Sequence, residues 1–253
     1  MIWSENALKG KRILITGASS GIGRACAILC SMLGAEIVAC GRNEERLADT
    51  ISKLSGSGHL SLAFDLNNEQ NIEEEIRKLK GSNPISGFIH SAGIERTNPL
   101  KTVYMDDFVE MFKTNVASAT AITKQITKPG IYDKNGLSIV LISSVIGLLG
   151  ERGKIEYSAT KAALSGLTKS LALELSAKNV RVNSISPAMI ITEMLDRMFE
   201  VLPRESVANI EGRHLLGIPD VQSVASMAVY LLSDAARYIT GTNIVLDSGY
   251  SMS

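Results

Sequence analysis

A tyrosine and a lysine four residues apart offer the most specific chemistry in this sequence. Tyr157 and Lys161 fall in a stretch of helical periodicity, where residues at i and i+4 lie on one face. We expect the Lys161 ammonium to lower the pKa of the Tyr157 phenol from its ordinary value of about 10. Ser144 lies thirteen residues before Tyr157 and carries a hydroxyl that can stabilise a developing oxyanion. Together these groups predict proton transfer to or from an oxygen atom.

A glycine-rich turn lies near the start of the chain. Segment 16–23 reads Thr-Gly-Ala-Ser-Ser-Gly-Ile-Gly and joins an apolar run to a stretch of helical periodicity. Gly17, Gly21 and Gly23 allow a tight turn and a close approach of the backbone to a ligand. The helix that follows offers unpaired N–H groups and the positive end of its dipole to a phosphate. The turn therefore predicts binding of a nucleotide.

Seven short apolar runs must position these groups. They are rich in Ile, Val and Leu without strict alternation, which is typical of strands covered on both faces. The runs are Arg12 to Ile15, Glu36 to Cys40, Leu60 to Phe64, Gly87 to His90, Ser138 to Ile142, Arg181 to Ile185 and Asn243 to Leu246. Segments of helical period separate them. This alternation predicts an α/β fold: a single doubly wound Rossmann-type domain over 1–253, with a seven-stranded parallel sheet and helices on both faces.

Composition excludes several classes of protein. The 26 Lys and Arg residues balance the 26 Asp and Glu residues, so nucleic acid and anionic membranes are not expected partners. No run of about 18 apolar residues is present, and the start has no signal-peptide pattern. The three cysteines cannot form a disulfide framework and indicate a reducing, cytoplasmic setting. Cys26 and Cys30 share a helical face with no His nearby, which favours a buried apolar role over metal binding.

The spacing Gly-x3-Gly-x-Gly, together with Asn115, Ser144, Tyr157 and Lys161, resembles the compact single-domain branch of the short-chain dehydrogenase/reductase family. The resemblance runs from Lys11 to about Ser251, and the overall pattern is similar to that of 3-oxoacyl-carrier-protein reductases. It implies hydride transfer between a nicotinamide and a ketone or secondary alcohol. In that reaction Tyr157 would exchange the proton, Ser144 would hold the substrate oxygen, and Lys161 would also hold the nicotinamide ribose. Asn115 would position a water that passes protons onward.

The end of the second apolar run bears on the choice between NAD and NADP. An acidic residue there would bind the ribose hydroxyls and repel a 2′-phosphate, but Gly41 occupies that position. Arg42 follows, and its guanidinium matches the geometry and charge of a phosphate. The family resemblance implies that a basic residue here favours NADP(H), with Ser19 and Ser20 adding hydroxyl donors. The cofactor is therefore predicted to be NADP(H).

The resemblance also places cofactor contacts after the later strands. Asp65 resembles an adenine-contacting aspartate, although alone it would be interpreted as a helix cap or turn residue. The segment 90–93 reads His-Ser-Ala-Gly where the family commonly has Asn-Asn-Ala-Gly, and His90 is interpreted as a buried, hydrogen-bonded imidazole. Ile190 and Thr192 would anchor the carboxamide. The predicted cofactor-binding set is Gly17, Ser19, Ser20, Gly21, Ile22, Gly23, Arg42, Asp65, Leu66, Ser91, Ala92, Gly93, Tyr157, Lys161, Ile190 and Thr192.

Two further departures from the family pattern concern glycines. Ala188 and Ser248 each stand where the family has Gly. Because Ala rarely adopts positive φ, we expect the backbone at Ala188 to avoid that region.

The segment at about 193–217 interrupts the strand–helix alternation and is predicted to form a lid over the substrate. It carries apolar residues and three arginines, Arg197, Arg204 and Arg213, which either meet an acidic substrate or are solvated. The stretch from Lys128 to Gly136 has two Lys and one Asp, a thin basic surface for an acidic carrier protein.

The resemblance implies that reduction of a 3-oxoacyl thioester is the first candidate function. A sugar, steroid or other small ketone is the alternative substrate for the same residues, and a nucleotide-sensing interaction protein without turnover is a third reading. The resemblance also implies a homotetramer, in which the helices around Phe108 to Lys124 and Tyr157 to Lys178 pair across a subunit interface.

Overall fold

Seven parallel strands form one sheet in a computed structural model that describes residues 4–192, 195, 199–200 and 203–252. They are β1 (Arg12–Thr16), β2 (Glu36–Gly41), β3 (Leu60–Ala63), β4 (Ile85–His90), β5 (Leu137–Ile142), β6 (Val180–Pro187) and β7 (Asn243–Leu246). Their order across the sheet is β3-β2-β1-β4-β5-β6-β7. The predicted fold class is confirmed, and the predicted strand ends lie within two residues of the observed ones.

Helices connect the strands and cover both faces of the sheet. They are α1 (Gly21–Met32), α2 (Glu44–Ile51), α3 (Glu69–Arg77), α4 (Met105–Phe112), α5 (Ser118–Ile126), α6 (Ile146–Leu149), α7 (Ile155–Leu175), α8 (Arg204–Gly212) and α9 (Val221–Leu232). A π-helical turn, Lys113–Ala117, joins α4 to α5. Within the described residues, no helix combines the length and apolar character needed to cross a bilayer.

Successive residues of β1 supply two separate cores, as the period of a strand requires. Ile13 and Ile15 pack with residues of α1 and α9 on one face of the sheet. Leu14 points to the other face and packs with residues of α3, α5 and α7. All three side chains are fully buried, and each such burial stabilises the fold by roughly 1.5–3 kcal/mol. Burial on both faces explains why the strands read as continuous apolar runs.

The chain changes direction across the sheet between β1 and β4. Thr16 and His90, the last residues of these strands, are register partners. Ligands of open α/β sheets bind at the carboxyl ends of the strands where such a reversal occurs. The glycine turn after β1 and the segment 91–93 after β4 therefore face the same crevice.

The helix starts differ in how their N–H groups are satisfied. The Asn43 side chain accepts a hydrogen bond from the Arg46 N–H at 2.8 Å and caps α2. Asp220 caps α9 in the same way. Ser20 precedes α1, but its side chain makes no capping hydrogen bond. The first N–H groups of α1 thus remain available at the glycine turn.

The predicted lid lies partly outside the described residues. Positions 193–194, 196–198 and 201–202 cannot be compared with the prediction, and this includes Arg197. Residues 204–212 form α8, and Leu195 is buried. Arg213, predicted either to meet an acidic substrate or to be solvated, is exposed and donates a hydrogen bond to the Tyr250 hydroxyl at 2.7 Å. Its guanidinium lies 3.8 Å from the centre of that ring.

Candidate active site

The three glycines of the turn serve different geometric purposes. Gly17 has φ +68°, and a Cβ there would lie 2.8 Å from the Ala92 nitrogen. A Cβ on Gly23 would lie 2.3 Å from the Gly17 carbonyl oxygen, so only glycine fits at this crossing of backbone. Gly21 has φ +51°, and a Cβ there would meet nothing within 4 Å. Gly21 therefore borders open space beside the start of α1, and this cradle suits a diphosphate.

Arg24, which the sequence did not single out, braces the glycine turn. Its guanidinium donates to the Ser19 carbonyl oxygen at 2.6 Å and to Thr50 Oγ1 at 3.0 Å. It also pairs with Asp49 at 3.0 Å. The Thr50 hydroxyl in turn donates to the Ala18 carbonyl oxygen at 2.9 Å. These contacts fix the turn against α2. The positive charge of Arg24 is already compensated by Asp49.

The end of β2 carries a guanidinium in place of a carboxylate. Gly41 is buried, and a Cβ there would lie 3.3 Å from Leu47, which leaves little room for a larger side chain. Arg42 comes immediately after β2 and is exposed. Because β2 neighbours β1, Arg42 lies on the same edge of the sheet as the glycine turn.

The outer cofactor-binding predictions lie at strand ends. Asp65 is exposed, and its Oδ1 accepts a hydrogen bond from the Asn67 N–H at 3.0 Å, which is the turn role considered for it. Leu66 beside it is buried. After β6, Ile190 is buried, and the Thr192 hydroxyl oxygen accepts a hydrogen bond from the Leu195 N–H at 3.3 Å. The contacts predicted between these residues and a cofactor stay predictions.

The two residues that replace family glycines adopt different conformations. Among the described non-glycine residues, Asn179 and Ser248 have positive φ, so Ala188 avoids that region as expected. Ser248 has φ +52° and keeps the left-handed conformation at a cost of about 1–2 kcal/mol. Its carbonyl oxygen accepts a hydrogen bond from the Leu215 N–H at 2.8 Å, which helps to hold this strained turn.

His90 is buried with one ring nitrogen paired. Its Nδ1 lies 3.0 Å from Thr16 Oγ1, which also accepts a hydrogen bond from the Ala92 N–H at 3.3 Å. Its Nε2 makes no hydrogen bond of good geometry to the described residues, although the Asn115 backbone lies near enough to the ring to affect its pKa, so the predicted hydrogen-bonded imidazole is confirmed for Nδ1. Burial and the nearby Lys161 charge lower the pKa of His90 to about 3, although the Asn115 backbone opposes the shift.

Asn115 lies in the π-helical turn and joins three parts of the site. Its Oδ1 accepts a hydrogen bond from the Ile94 N–H at 2.7 Å, and its Nδ2 donates to the Ile94 carbonyl oxygen at 2.9 Å. The same Nδ2 donates to Thr160 Oγ1 at 3.1 Å. The Asn115 side chain is fully buried and ties the loop after β4 to α7. A π-helical turn at such a position is a frequent feature of functional sites.

Ser144, Tyr157 and Lys161 meet at the carboxyl end of β5. The Ser144 hydroxyl is a hydrogen-bonding neighbour of the Tyr157 phenol. Lys161 Nζ lies 5.5 Å from the centre of the Tyr157 ring and donates to the Ile142 carbonyl oxygen at 2.8 Å. Ser143, the neighbour of Ser144, turns away and donates to the Lys161 carbonyl oxygen at 2.7 Å. The structure thus brings together the groups that the spacing predicted.

The expected effect of Lys161 on Tyr157 is wrong. Burial raises the pKa of the phenol well above its ordinary value, the Glu95 carboxylate raises it further, and Ser144 offsets a part. Burial also lowers the pKa of the Lys161 ammonium to about 8, against the effect of Glu95. The spacing placed both side chains on one face correctly, but the cost of a buried phenolate, together with the Glu95 charge, decides the direction of the Tyr157 pKa shift.

Two charged residues beside the site were not predicted. Glu95, two residues after Gly93, forms an ion pair with Lys154, which directly precedes α7. The partners are 59 residues apart in the chain, so no local pattern indicates their contact. The position of Lys154, three residues before Tyr157, is the one feature of the sequence that could have indicated a charged residue beside the site.

Comparison with known proteins defines the class of this protein. A family model described as enoyl-(acyl carrier protein) reductase matches residues 17–251. The chain belongs to the short-chain dehydrogenase/reductase family and is an enzyme of that family.

Its similarity to particular members covers nearly the whole chain. It is 33% identical over 246 residues to the 3-oxoacyl-[acyl-carrier-protein] reductase of Chlamydia pneumoniae, covering 96% of this chain and 97% of that protein. The reductase of the same name from Thermotoga maritima is also 33% identical over 246 residues, covering 96% and 98%. A short-chain type dehydrogenase/reductase structure from Mycobacterium ulcerans superposes with a TM-score of 0.89 at 29% identity, covering 97% of this chain and 91% of that one.

Proposed function

We propose that this enzyme is an NADP(H)-dependent reductase of ketones, which in reverse oxidises the corresponding secondary alcohols. The observation that supports this most directly is the meeting of Ser144, Tyr157 and Lys161 at the end of β5, near the glycine turn. The nicotinamide supplies the hydride for the carbonyl carbon. The Tyr157 phenol delivers a proton to the carbonyl oxygen, and the Ser144 hydroxyl donates a hydrogen bond to the same oxygen.

The raised pKa of Tyr157 suits this direction of reaction. A phenol that stays protonated at neutral pH is the form that a general acid needs. The Lys161 ammonium would stabilise the phenolate as the proton leaves and would hold the ribose of a bound nicotinamide nucleotide. Asn115 fixes the loop after β4 and positions a water that returns a proton to the pair.

The cofactor assignment depends on the glycine turn and on Arg42. The open space beside Gly21 and the free N–H groups of α1 would take the diphosphate. The exposed Arg42 guanidinium, with the Ser19 and Ser20 hydroxyls, would take the 2′-phosphate of NADP(H). The other proposed contacts are Gly17, Ile22, Gly23, Asp65, Leu66, Ser91, Ala92, Gly93, Ile190 and Thr192.

For the substrate we propose a 3-oxoacyl thioester, the class named in the reductases of Chlamydia pneumoniae and Thermotoga maritima. Docking of an acidic carrier protein has less support, because Lys128 already pairs with Glu73 at 3.1 Å. A sugar or other small hydroxylated ketone is the second candidate. The observation that favours it is the Glu95 carboxylate near Tyr157, since a carboxylate accepts hydrogen bonds from hydroxyl groups.

We further propose a homotetramer in the cytoplasm. Val109 and Phe112 on α4 and Leu173 on α7 are exposed large apolar side chains, as expected of faces that pair with another subunit. Cys26, Cys30 and Cys40 are free, buried thiols, which suits a reducing compartment.

A substrate panel with the purified enzyme tests the proposed function. NADPH and NADH consumption would be followed with short 3-oxoacyl thioesters, hydroxylated ketones and cyclic ketones, with Tyr157→Phe as the inactive control. We expect NADPH-dependent turnover of at least one class and little turnover in the variant. Tight NADPH binding without turnover of any ketone would contradict the proposal and favour the nucleotide-sensing alternative.

A further inference from the structure

Glu95 places a carboxylate at the edge of the proposed active site. The loop that carries it begins against the reacting groups. A Cβ on Gly93 would lie 3.2 Å from Asn115 Oδ1 and 3.7 Å from Lys161 Nζ. Two residues further on, the Glu95 side chain is 46% exposed and can meet a ligand from solvent. Its function is not accounted for by proton transfer or by cofactor binding.

Lys154 holds the Glu95 carboxylate in place. The Lys154 ammonium binds Glu95 and also donates to Thr97 Oγ1 at 2.5 Å. The Lys154 side chain is 17% exposed, so this pair is partly shielded from solvent. Because Lys154 lies three residues before Tyr157 at the start of α7, the pair lies close to the turn of helix that carries the phenol.

The rest of the loop is fixed to the same helix. The Asn98 N–H donates to the Gly153 carbonyl oxygen at 2.8 Å. The Asn98 side chain donates to Glu156 Oε1 at 3.2 Å, and Glu156 is fully buried in the first turn of α7. The loop therefore holds Glu95 in one position relative to Tyr157, and a ligand does not have to order it first.

The negative charge of Glu95 reaches the reacting groups. It raises the pKa of Tyr157, which burial already raises, and it opposes the lowering of the Lys161 pKa by burial. The neighbouring positive charge of Arg96 is turned toward α4, where it binds Glu110 at 2.6 Å. The field of this loop at the phenol is therefore negative despite Arg96 and Lys154.

We propose that Glu95 is a specificity-determining residue, which disfavours substrates with a negative charge near the reacting carbonyl and favours those with a hydroxyl there. The inference rests on the proposed reduction of ketones. It follows that a free 3-oxo acid is a poor substrate, while its neutral ester or thioester is a good one. Repulsion between two like charges near a protein surface lies between the limits for water and for a shielded site, and we take its effect on binding as about tenfold.

Substitution of Glu95 tests this with a matched pair of substrates. The ratio of kcat/KM for methyl 3-oxobutanoate to that for 3-oxobutanoate would be measured in the wild type, Glu95→Gln and Glu110→Gln. The intrinsic reactivity of the two substrates is common to all three enzymes, so a change in the ratio reports the protein. We expect the ratio to fall about tenfold in Glu95→Gln and to stay unchanged in Glu110→Gln. Glu110 is the control because it lies on α4, where its carboxylate pairs with Arg96 and not with a group of the site.

Lys154→Met provides a variant with the opposite expectation. Removal of this ammonium leaves the Glu95 charge uncompensated, so discrimination against the anion should increase. Thermal unfolding of each variant would show whether the fold persists. An unchanged ratio in folded Glu95→Gln would overturn the proposal, and so would a fall of the ratio in Lys154→Met.

A binding measurement decides the proposal without turnover. 3-Hydroxybutanoate and its methyl ester would be titrated by calorimetry into the enzyme saturated with NADPH, with which an alcohol cannot react. We expect the ester to bind better than the acid in the wild type. The ratio of their dissociation constants should shrink about tenfold in Glu95→Gln. Absence of ketone turnover would contradict the proposed function, whereas equal ligand preference in the two enzymes, or no binding of either ligand, would contradict the role of Glu95.

Discussion

The Nζ atom of Lys161 donates a hydrogen bond to the backbone carbonyl oxygen of Ile142 at 2.8 Å. Ile142 ends β5, and Ser144 follows two residues later. The Ser143 hydroxyl donates in the opposite sense to the Lys161 carbonyl oxygen at 2.7 Å. These two bonds join β5 to α7, so they fix the distance between the Ser144 hydroxyl and the Tyr157 phenol. Lys161 therefore positions the site as well as supplying its positive charge.

The rate of reduction should depend on the charge of Lys161. Its pKa is lowered to about 8, so the ammonium predominates below that pH and is lost above it. Reduction needs the protonated pair, and kcat/KM for NADPH, which reports the cofactor-free enzyme, should fall about tenfold per unit above pH 8. Initial rates measured across the pH range would show this fall as the alkaline limb of the pH profile.

Lys161→Arg is the matched variant for that profile. Because a guanidinium keeps its charge, the falling limb should move above pH ~10 even if the absolute rate is lower. The same limb near pH 8 in both enzymes would show that another group is responsible.

Tyr157→Phe should abolish reduction without abolishing cofactor binding. The variant keeps the ring but loses the proton donor, and the loss of general-acid catalysis corresponds to about 10²–10⁴ in kcat. Steady-state rates and NADPH fluorescence titrations would separate the two effects. Tyr132→Phe is the control, because Tyr132 pairs with Ile85 at the opposite end of β4. Turnover near the wild-type rate in Tyr157→Phe would remove the phenol from the reaction.

Arg42→Asp should weaken the binding of NADPH far more than that of NADH. The proposed contact is a charge-assisted hydrogen bond worth about 1.5–3 kcal/mol, so NADPH binding should weaken by at least tenfold. NADH binding should change little, since NADH lacks the 2′-phosphate. Dissociation constants for both cofactors would be compared with those of Arg77→Asp, an exposed arginine at the end of α3. An unchanged NADPH-to-NADH ratio would contradict the phosphate contact.

Local patterns were sufficient to predict the fold and the meeting of Ser144, Tyr157 and Lys161 at one edge of the sheet. The strands were found because burial on both faces leaves continuous apolar runs, as in β1. Tyr157 and Lys161 were placed on one face because a helix fixes the relation of residues four apart. Ser144 was placed nearby because the carboxyl ends of parallel strands meet at one edge of the sheet. Each inference needed a short segment of sequence and one geometric rule.

The electrostatics of the site could not be predicted in this way. The sign of the Tyr157 pKa shift depends on burial and on Glu95, which reaches the site from a different loop. The Glu95–Lys154 pair and the Arg24 brace join segments distant in sequence, and charged residues of these types are frequent on any surface. The surroundings of the buried His90 ring are likewise visible only when every neighbour is in place.

The glycine turn offers a pair of variants that separate folding from cofactor binding. In Gly23→Ala the new Cβ would start 2.3 Å from the Gly17 carbonyl oxygen, so the turn must shift, at a cost of about 1–3 kcal/mol in stability. Gly21→Ala meets no atom within 4 Å but has φ +51°, which costs about 1–2 kcal/mol. Denaturant unfolding would give both values, and NADPH titration would give affinity.

Both variants should bind NADPH weakly, for different reasons. Gly23→Ala displaces the turn itself, whereas Gly21→Ala keeps the turn but places a methyl group in the space proposed for the diphosphate. Normal NADPH affinity in a stably folded Gly21→Ala would contradict that placement.

His90 should remain neutral over the whole working range of the enzyme. Its pKa is lowered to about 3, and the unfolded chain would take up the proton near pH 6.5. The folded state does not bind this proton between those values, so the free energy of unfolding should fall as pH falls from 6.5 toward 3. His90→Asn should remove this part of the acid sensitivity in denaturant unfolding.

The tautomer of His90 follows from its partner. Thr16 Oγ1 accepts the Ala92 N–H and can donate its own hydrogen to His90 Nδ1, so we expect the ring proton on Nε2, which suits the Asn115 backbone contact that raises the His90 pKa. Nitrogen-15 NMR of the histidine rings should show one neutral Nε2–H ring that does not titrate above pH ~4. With three histidines in the chain, His59→Gln and His214→Gln assign the signals. Titration of the His90 ring near pH 6.5 would contradict both the burial argument and the proposed tautomer, because a charged imidazole donates from both nitrogens.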